Sequence, residues 1–218
     1  LAAGASTGID NFVPVPNNPS PGTEFRLYEK SKALVKKYGG ERRIMEGRNP
    51  RGTLGVSYGA TGNIALAALN NIGMAAHETT HNADRRLGFS DKITKVVRLA
   101  KNGNPIYDSS TLEERRALTS VYETYYPDGD KRHPLKKRIV EGFATFIQKY
   151  IEDPITIRKQ FPRLATMILD PGGKYYDKQI ADLVVEARDI VNGYHALDPM
   201  LKIRARRANA RKITGHGF

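Results

Sequence analysis

The stretch HETTH at residues 77–81 combines residue types that can hold a metal ion and move a proton. On an α-helix, residues four apart lie one turn apart on the same face, so the imidazoles of His77 and His81 can converge on one ion. Glu78 then projects beside the ion without binding it, which suits a general base acting on a water molecule. With five histidines in 218 residues, only about 0.006 chance matches to this pattern are expected. The pattern therefore indicates a metal site.

A catalytic zinc site takes three protein ligands and keeps one position open, so a further ligand must come from outside this motif. The chain has no cysteine, which leaves histidine and carboxylate side chains. The candidates are Glu141, Asp84, His133 and His195. Asp84 follows on the same helix as the two histidines, where a side chain is better placed to orient a histidine through its other ring nitrogen.

Glu141 is the candidate whose surroundings argue for it. It lies in the segment RIVEGFATFIQKY, which predicts an amphipathic helix over residues 135–151 with the glutamate just outside the apolar arc. A glutamate in such a place is ordinarily solvated. However, Gly142 and Ala144 are small, and a glycine inside a helix costs about 1 kcal/mol relative to alanine. Close packing against the helix that carries His77 would explain that cost.

The remaining hydrophobic pattern predicts an α+β fold that is mainly helical. Residues 53–58 and 64–68 are short β-tolerant runs separated by a glycine-rich turn, which predicts a hairpin just before the motif helix. The alanine-rich second run also fits the start of a helix. Helices are predicted over residues 24–38, 71–86, 90–100, 111–125, 135–151, 161–168 and 177–192.

Capping residues predict where several of these helices begin and end. Thr23 and Ser90 are predicted to cap the starts of two helices, and Thr111 with Glu114 forms a capping-box pattern. Gly193 is predicted to end the 177–192 helix.

Composition and charge divide the chain into three parts. Residues 1–22 are proline-rich and predict an extended arm or linker. Residues 23–198 carry the metal motif and form the predicted catalytic domain. Residues 199–218 form a predicted basic helix or tail, with six cations and no acid from Leu201 onward. Because the formal net charge is +12, nucleic acid or another polyanion is a candidate partner for this end.

Several classes of protein are excluded or disfavoured by the same composition. Without cysteine there can be no disulfide, thiolate metal site or thiol nucleophile. No apolar run reaches the roughly 18 to 20 residues of a membrane span, and the first residues lack the pattern of a signal peptide. The sequence therefore predicts a soluble protein without a membrane partner.

Two motifs together carry a resemblance to a known family. HETTHNAD, followed later by VEGFATFIQKYIEDP, resembles the zincin metallopeptidases, in the gluzincin-like arrangement where a glutamate on a second helix completes an HExxH site. More narrowly, the pair is similar to metallopeptidase-like domains in polyvalent proteins of bacteriophages and other mobile elements. The interval from His81 to Glu141 is longer than in the best-known gluzincins.

The resemblance implies one zinc ion held by His77, His81 and Glu141, with Glu78 as general base and acid. It also implies a small sheet whose edge strand, within residues 53–68, aligns an extended peptide beside the active helix. The expected protein is a zinc-dependent endopeptidase in a virion or in the bacterial host cytoplasm.

Two other functions remain open. One is an inactive, zinc-containing structural or DNA-associated virion module, and the other is a nucleic-acid binder without metal. The residue that would stabilise an oxyanion is also open, with candidates at Tyr125, Tyr126, His133, Tyr194 and His195.

Overall fold

The computed structural model describes residues 26–39, 44–46, 55–57, 63–66, 71–127 and 133–207. The proline-rich segment 1–22, the predicted cap Thr23 and residues 208–218 lie outside them. Within this part the chain is mainly helical, with two small sheets. The elements are α1 (Leu27–Gly39), β1 (Ile44–Glu46), β2 (Gly55–Ser57), β3 (Ile64–Leu66), α2 (Ile72–Leu87), α3 (Phe89–Ile93), β4 (Val96–Leu99), β5 (Pro105–Tyr107), a 3₁₀ turn (Ser109–Thr111), α4 (Leu112–Tyr125), α5 (Leu135–Glu152), α6 (Pro154–Gln160), α7 (Pro162–Leu169), α8 (Lys178–Ala196) and α9 (Pro199–Arg207).

Helix α2, which carries the HETTH motif, is the central element of the fold. Its start is capped by Asn71, whose side chain accepts a hydrogen bond from the Met74 N–H at 2.9 Å. Its end is set by Gly88 at φ 62°, in the left-handed region that glycine adopts without strain. Helices α1, α5 and α8 and the strands β2 and β3 all pack against it. From Ile72 to Asp84 every residue except Met74 is buried.

The first sheet lies beside α2 and has the strand order β1-β3-β2. Strand β3 pairs antiparallel with β2 and parallel with β1. The hairpin predicted within residues 53–68 is therefore present as β2 and β3, and α2 begins only at Ile72. The parallel strand β1 was not predicted. Strand β2 is an edge of this sheet and contacts α2, where the Ser57 hydroxyl donates to Asn82 Oδ1 at 2.9 Å.

The helix predicted over residues 90–100 is wrong. Helix α3 ends at Ile93, and the chain then forms a hairpin in which β4 pairs antiparallel with β5. Val96 and Val97 follow Ile93 at helical spacing, but both are β-branched and favour a strand. The following Asn102-Gly103 turn, with Gly103 at φ 79°, favours the hairpin further.

The capping box predicted at Thr111 and Glu114 is also wrong. Thr111 directly precedes α4, but its hydroxyl donates to the Ile93 carbonyl at 2.8 Å instead of capping the helix. The Glu114 carboxylate accepts a hydrogen bond from the Lys174 ammonium at 2.8 Å. Both side chains therefore make tertiary contacts in place of the capping-box contacts.

Helix α8 does not end at Gly193 as predicted but continues to Ala196. Its start agrees with the prediction, since Asp177 caps it by accepting from the N–H groups of Gln179 and Ile180. Tyr194 packs against the hydrophobic core. This partial burial acts against the roughly 1 kcal/mol that a glycine costs inside a helix.

Helix α5 forms the middle of the core and agrees with its prediction. Its largest fully buried side chains include Phe143, Phe146 and Tyr150, and it packs against α2, α4 and α8. It ends at Glu152, and Asp153 caps it directly before Pro154. Among the described residues, no helix has the length and apolar character needed to cross a membrane.

Candidate metal centre

Three side chains from α2 and α5 meet at one point. The Nε2 atoms of His77 and His81 lie 3.2 Å apart. Glu141 Oε2 lies 3.5 Å from the first of these nitrogens and 3.6 Å from the second. These two histidines and this glutamate form a group that can hold a metal ion.

The spacing of the three atoms fits a tetrahedral zinc ion. With bonds of about 2.0 to 2.1 Å, the ligand atoms of such an ion lie about 3.3 to 3.4 Å apart. The three distances here, 3.2, 3.5 and 3.6 Å, bracket that value. Two neutral imidazoles and one carboxylate are also a donor set that catalytic zinc sites use, with a fourth position left open. The residues present therefore fit the ion that the sequence predicts.

The burial of this group is consistent with a bound cation. Both histidines are buried, while Glu141 is about a third exposed at 30%. The positions of His77 and His81 exclude the alternative in which they are ordinary surface residues. Buried polar nitrogens cost free energy unless they are paired. A shared metal ion would satisfy both Nε2 atoms at once.

Two helices packed side by side bring these residues together. At one end of the α2–α5 contact, a Cβ on Gly73 would lie 2.5 Å from Glu152 Oε1. At the other end, Glu141 meets both histidines. Since Gly73 precedes His77 on α2 and Glu152 follows Glu141 on α5, the two helices run antiparallel.

The role predicted for Gly142 needs a correction. It was expected to allow a close approach of α2, but its neighbour is α4. A Cβ at this position would lie 2.2 Å from the Leu118 carbonyl oxygen. Gly142 therefore lets α4 cross α5 closely, one residue after the carboxylate that faces α2.

The two glutamates of the site have opposite electrostatic environments. Burial raises the pKa of Glu78 to about 7, although the neighbouring His77 lowers it in part. Burial also acts to raise the pKa of Glu141, but hydrogen bonds from His77 and His81 outweigh it and hold that pKa well below its ordinary value. Such a separation is typical of two carboxyl groups with different tasks. Glu141 is suited to remain an anion, and Glu78 is suited to exchange a proton.

Asp84 is buried near the site but does not join the group of three. Its Oδ1 accepts a hydrogen bond from the Ser90 N–H at 2.8 Å. Burial raises its pKa, while Ser90 and the charge of His81 act in the opposite direction. The Nδ1 atom of His77 is buried without a hydrogen-bond partner in the described part of the chain. The predicted role of Asp84 in orienting a histidine stays a prediction.

The other candidate ligands lie outside the group. The His133 Nε2 atom is 3.0 Å from the Lys137 ammonium. His195 is exposed in the last turn of α8, with its ring against Tyr194. Tyr194 and His195 also line a pocket of about 450 Å³ at the start of α2.

Tyr126 is the oxyanion candidate with a contact to the face of α5 that carries Glu141. Its hydroxyl oxygen accepts a hydrogen bond from Thr145 Oγ1 at 3.3 Å. Thr145 lies one helical turn after Glu141, on the same side of the helix. The tyrosine is 39% exposed. Tyr125 instead approaches Gln160, at 3.4 Å.

Sequence reasoning missed the contacts that attach β2 to the motif helix. Asn82, directly after His81, accepts from Ser57 on β2 and donates to the Gly39 carbonyl at the end of α1. Arg85 donates to both Ser57 and Asn82. An asparagine after the motif is the only signal of this in the sequence, and it does not identify its partners.

Comparison with known proteins adds no further information about this site. No protein-family model, curated protein or solved structure gives a significant match to the chain.

Proposed function

We propose that this protein is a zinc-dependent endopeptidase that hydrolyses peptide bonds. The observation that carries the proposal is the convergence of His77 Nε2, His81 Nε2 and Glu141 Oε2 within 3.6 Å of one another, next to a buried glutamate that is not part of the group. Zinc is the proposed ion because two imidazoles and a carboxylate at tetrahedral spacing suit it. The resemblance to phage and mobile-element metallopeptidase domains supports the same function.

Glu78 is the proposed proton carrier. A zinc ion held at this site would supply Lewis-acid activation of a water molecule and of the scissile carbonyl. Glu78 would accept a proton from the attacking water and would donate it to the leaving amine. A pKa raised by burial to about 7 suits a group that must both take up and release a proton near neutral pH.

Tyr126 is the proposed oxyanion stabiliser. Because its oxygen accepts from Thr145, its O–H group can donate to a substrate oxygen. Its partial exposure leaves it accessible to a bound peptide. A donor aimed at a developing negative charge is a large contributor to catalysis in such sites.

Strand β2 is the proposed guide for the substrate backbone. It forms one edge of the first sheet, and Ser57 at its end contacts α2 one residue beyond His81. An extended peptide can add to such an edge through main-chain hydrogen bonds. This arrangement would lay the peptide along the motif helix.

The test compares wild type with Glu78→Gln. Both proteins are loaded with zinc and incubated with a broad peptide library, and the products are read by mass spectrometry. The proposal predicts that both bind one zinc per chain and that only wild type cleaves. If both bind zinc and neither cleaves, the inactive structural module is favoured. If neither binds zinc, the metal-free nucleic-acid binder is favoured.

A further inference from the structure

The hairpin formed by β4 and β5 is an exposed ribbon. Every residue from Lys95 to Pro105 is exposed except Ala100, which is partly exposed. At the base of the hairpin, the Arg115 guanidinium lies over the Tyr107 ring, 5.4 Å from its centre.

Apolar side chains are exposed on this ribbon. Val96, Val97 and Leu99 are 46%, 54% and 66% exposed. Arg98 and Leu99 are adjacent on one strand and therefore point to opposite faces, and both are exposed. Both faces of the ribbon are thus open. Exposed apolar strands of this kind are an aggregation hazard unless a partner covers them.

The ribbon also carries unbalanced positive charge. From residue 92 to residue 107 the sequence has four cations and no acid. None of the four forms an ion pair with a carboxylate of the described residues, although the charge of Lys95 helps to lower the pKa of Asp108 at the base of the hairpin. Asp91, just before the hairpin, is paired with Lys136. The four cations are Lys92, Lys95, Arg98 and Lys101.

We propose that the β4–β5 hairpin binds double-stranded DNA by entering the major groove. The groove of B-DNA is about 12 Å wide and admits a two-stranded β-ribbon. A groove contacts both faces of a ribbon, whereas a flat acidic surface would cover only one. The cations then meet phosphates on either side, and the apolar side chains contact base edges such as thymine methyl groups.

The experiment uses the full chain and removes charge in two places. The first variant carries Lys95→Gln, Arg98→Gln and Lys101→Gln. A control variant of equal net charge carries Lys36→Gln, Lys159→Gln and Arg188→Gln, three cations on α1, α6 and α8 that form no ion pair with a described carboxylate. Binding to a fluorescent duplex of about 20 base pairs is measured by anisotropy between about 50 and 200 mM salt.

The proposal predicts a loss specific to the hairpin. The hairpin charge variant binds the duplex at least about tenfold more weakly than wild type. The slope of its log affinity against log salt concentration is shallower than that of wild type by about 2 to 3. The control variant stays within about threefold of wild type. A second hairpin variant, Val97→Ser with Leu99→Ser, binds several-fold more weakly with an unchanged salt slope. Thermal melting checks that all variants are folded.

Other partners are outcomes that overturn the proposal. The same anisotropy assay is run with double-stranded RNA, whose deep, narrow major groove excludes a ribbon. Sedimentation with phosphatidylserine vesicles tests a membrane surface. Equal binding of RNA and DNA, tighter binding of vesicles, equal losses in the two charge variants, or no binding of DNA by wild type would each contradict it.

Discussion

Glu141 Oε2 lies 3.5 Å from His77 Nε2, although the two residues belong to different helices. The contact depends on the antiparallel packing of α2 and α5, which places the start of one helix beside the end of the other. The same oxygen lies 3.6 Å from His81 Nε2. The Glu141 carboxylate therefore supplies the third potential ligand atom, in addition to the two that the HETTH motif supplies.

Glu141→Gln should weaken zinc binding at least about 100-fold, because even residues that merely orient a ligand contribute 10- to 100-fold. Glu152→Gln is the matched control: it makes the same charge change on the same helix, where the carboxylate binds Gln148 and Lys149. Competition with a zinc-sensitive dye measures both affinities. Equal affinities would remove Glu141 from the site.

Tyr126→Phe should lower kcat by about 10²- to 10³-fold, because it removes one donor to the developing oxyanion. KM and zinc content should change little, since the ring and its packing against Tyr122 are retained. Tyr125→Phe, next along the chain, should leave kcat within a few-fold of wild type. Equal effects of the two substitutions in steady-state kinetics would argue against this role.

Gly142→Ala should destabilise the fold by about 2 to 3 kcal/mol, because the new methyl group meets the Leu118 backbone and forces two helices apart. Gly73→Ala is the matched control. Its methyl group meets the end of the Glu152 side chain, which can rotate away, so its cost should stay below about 1 kcal/mol. Urea unfolding compares the two; a larger loss in Gly73→Ala would contradict the packing described here.

Glu186→Gln should lower stability in a pH-dependent way. Burial acts to raise the Glu186 pKa, but hydrogen bonds from Lys37 and Tyr38 lower it below 4.5 overall. A carboxyl group whose pKa is lowered in the folded state stabilises the fold at pH values above its ordinary pKa. This contribution is lost as the pH falls through the lowered pKa. The group is 36% exposed, so the effect at pH 7 should be at most about 1 kcal/mol.

Urea unfolding of wild type and Glu186→Gln at pH 7 and at about pH 3 measures this difference. It should be present at pH 7 and shrink at the lower pH, where the wild-type carboxyl becomes protonated. The same difference at both pH values would show that the ion pair between α1 and α8 does not cause it.

Periodicity was enough to predict the helices that matter most for the site. The apolar stripe of α5 and the spacing of His77 and His81 follow from 3.6 residues per turn, and α2 and α5 begin and end within a residue or two of their predicted bounds. Glu141 could be favoured as a partner, but its distance from the histidines depends on the packing of two helices that are separate in sequence.

The errors arose where tertiary contacts override local preference. Strand β1 pairs directly with β3, although β2 lies between them in the sequence, and short sequence patterns carry no signal for such a parallel pairing. Gly193 did not end α8 because Tyr194 packs on the core. Gly142 was correctly marked as a place of close approach, but the sequence does not identify which helix approaches.

Diffraction at the zinc absorption edge, from crystals of the zinc-loaded protein, tests the central claim most directly. We predict one anomalous peak about 2.0 to 2.1 Å from His77 Nε2, His81 Nε2 and Glu141 Oε2, with the Glu78 carboxylate outside bonding distance. No peak at this point, or a peak bound by Glu78 and not by Glu141, would contradict the account.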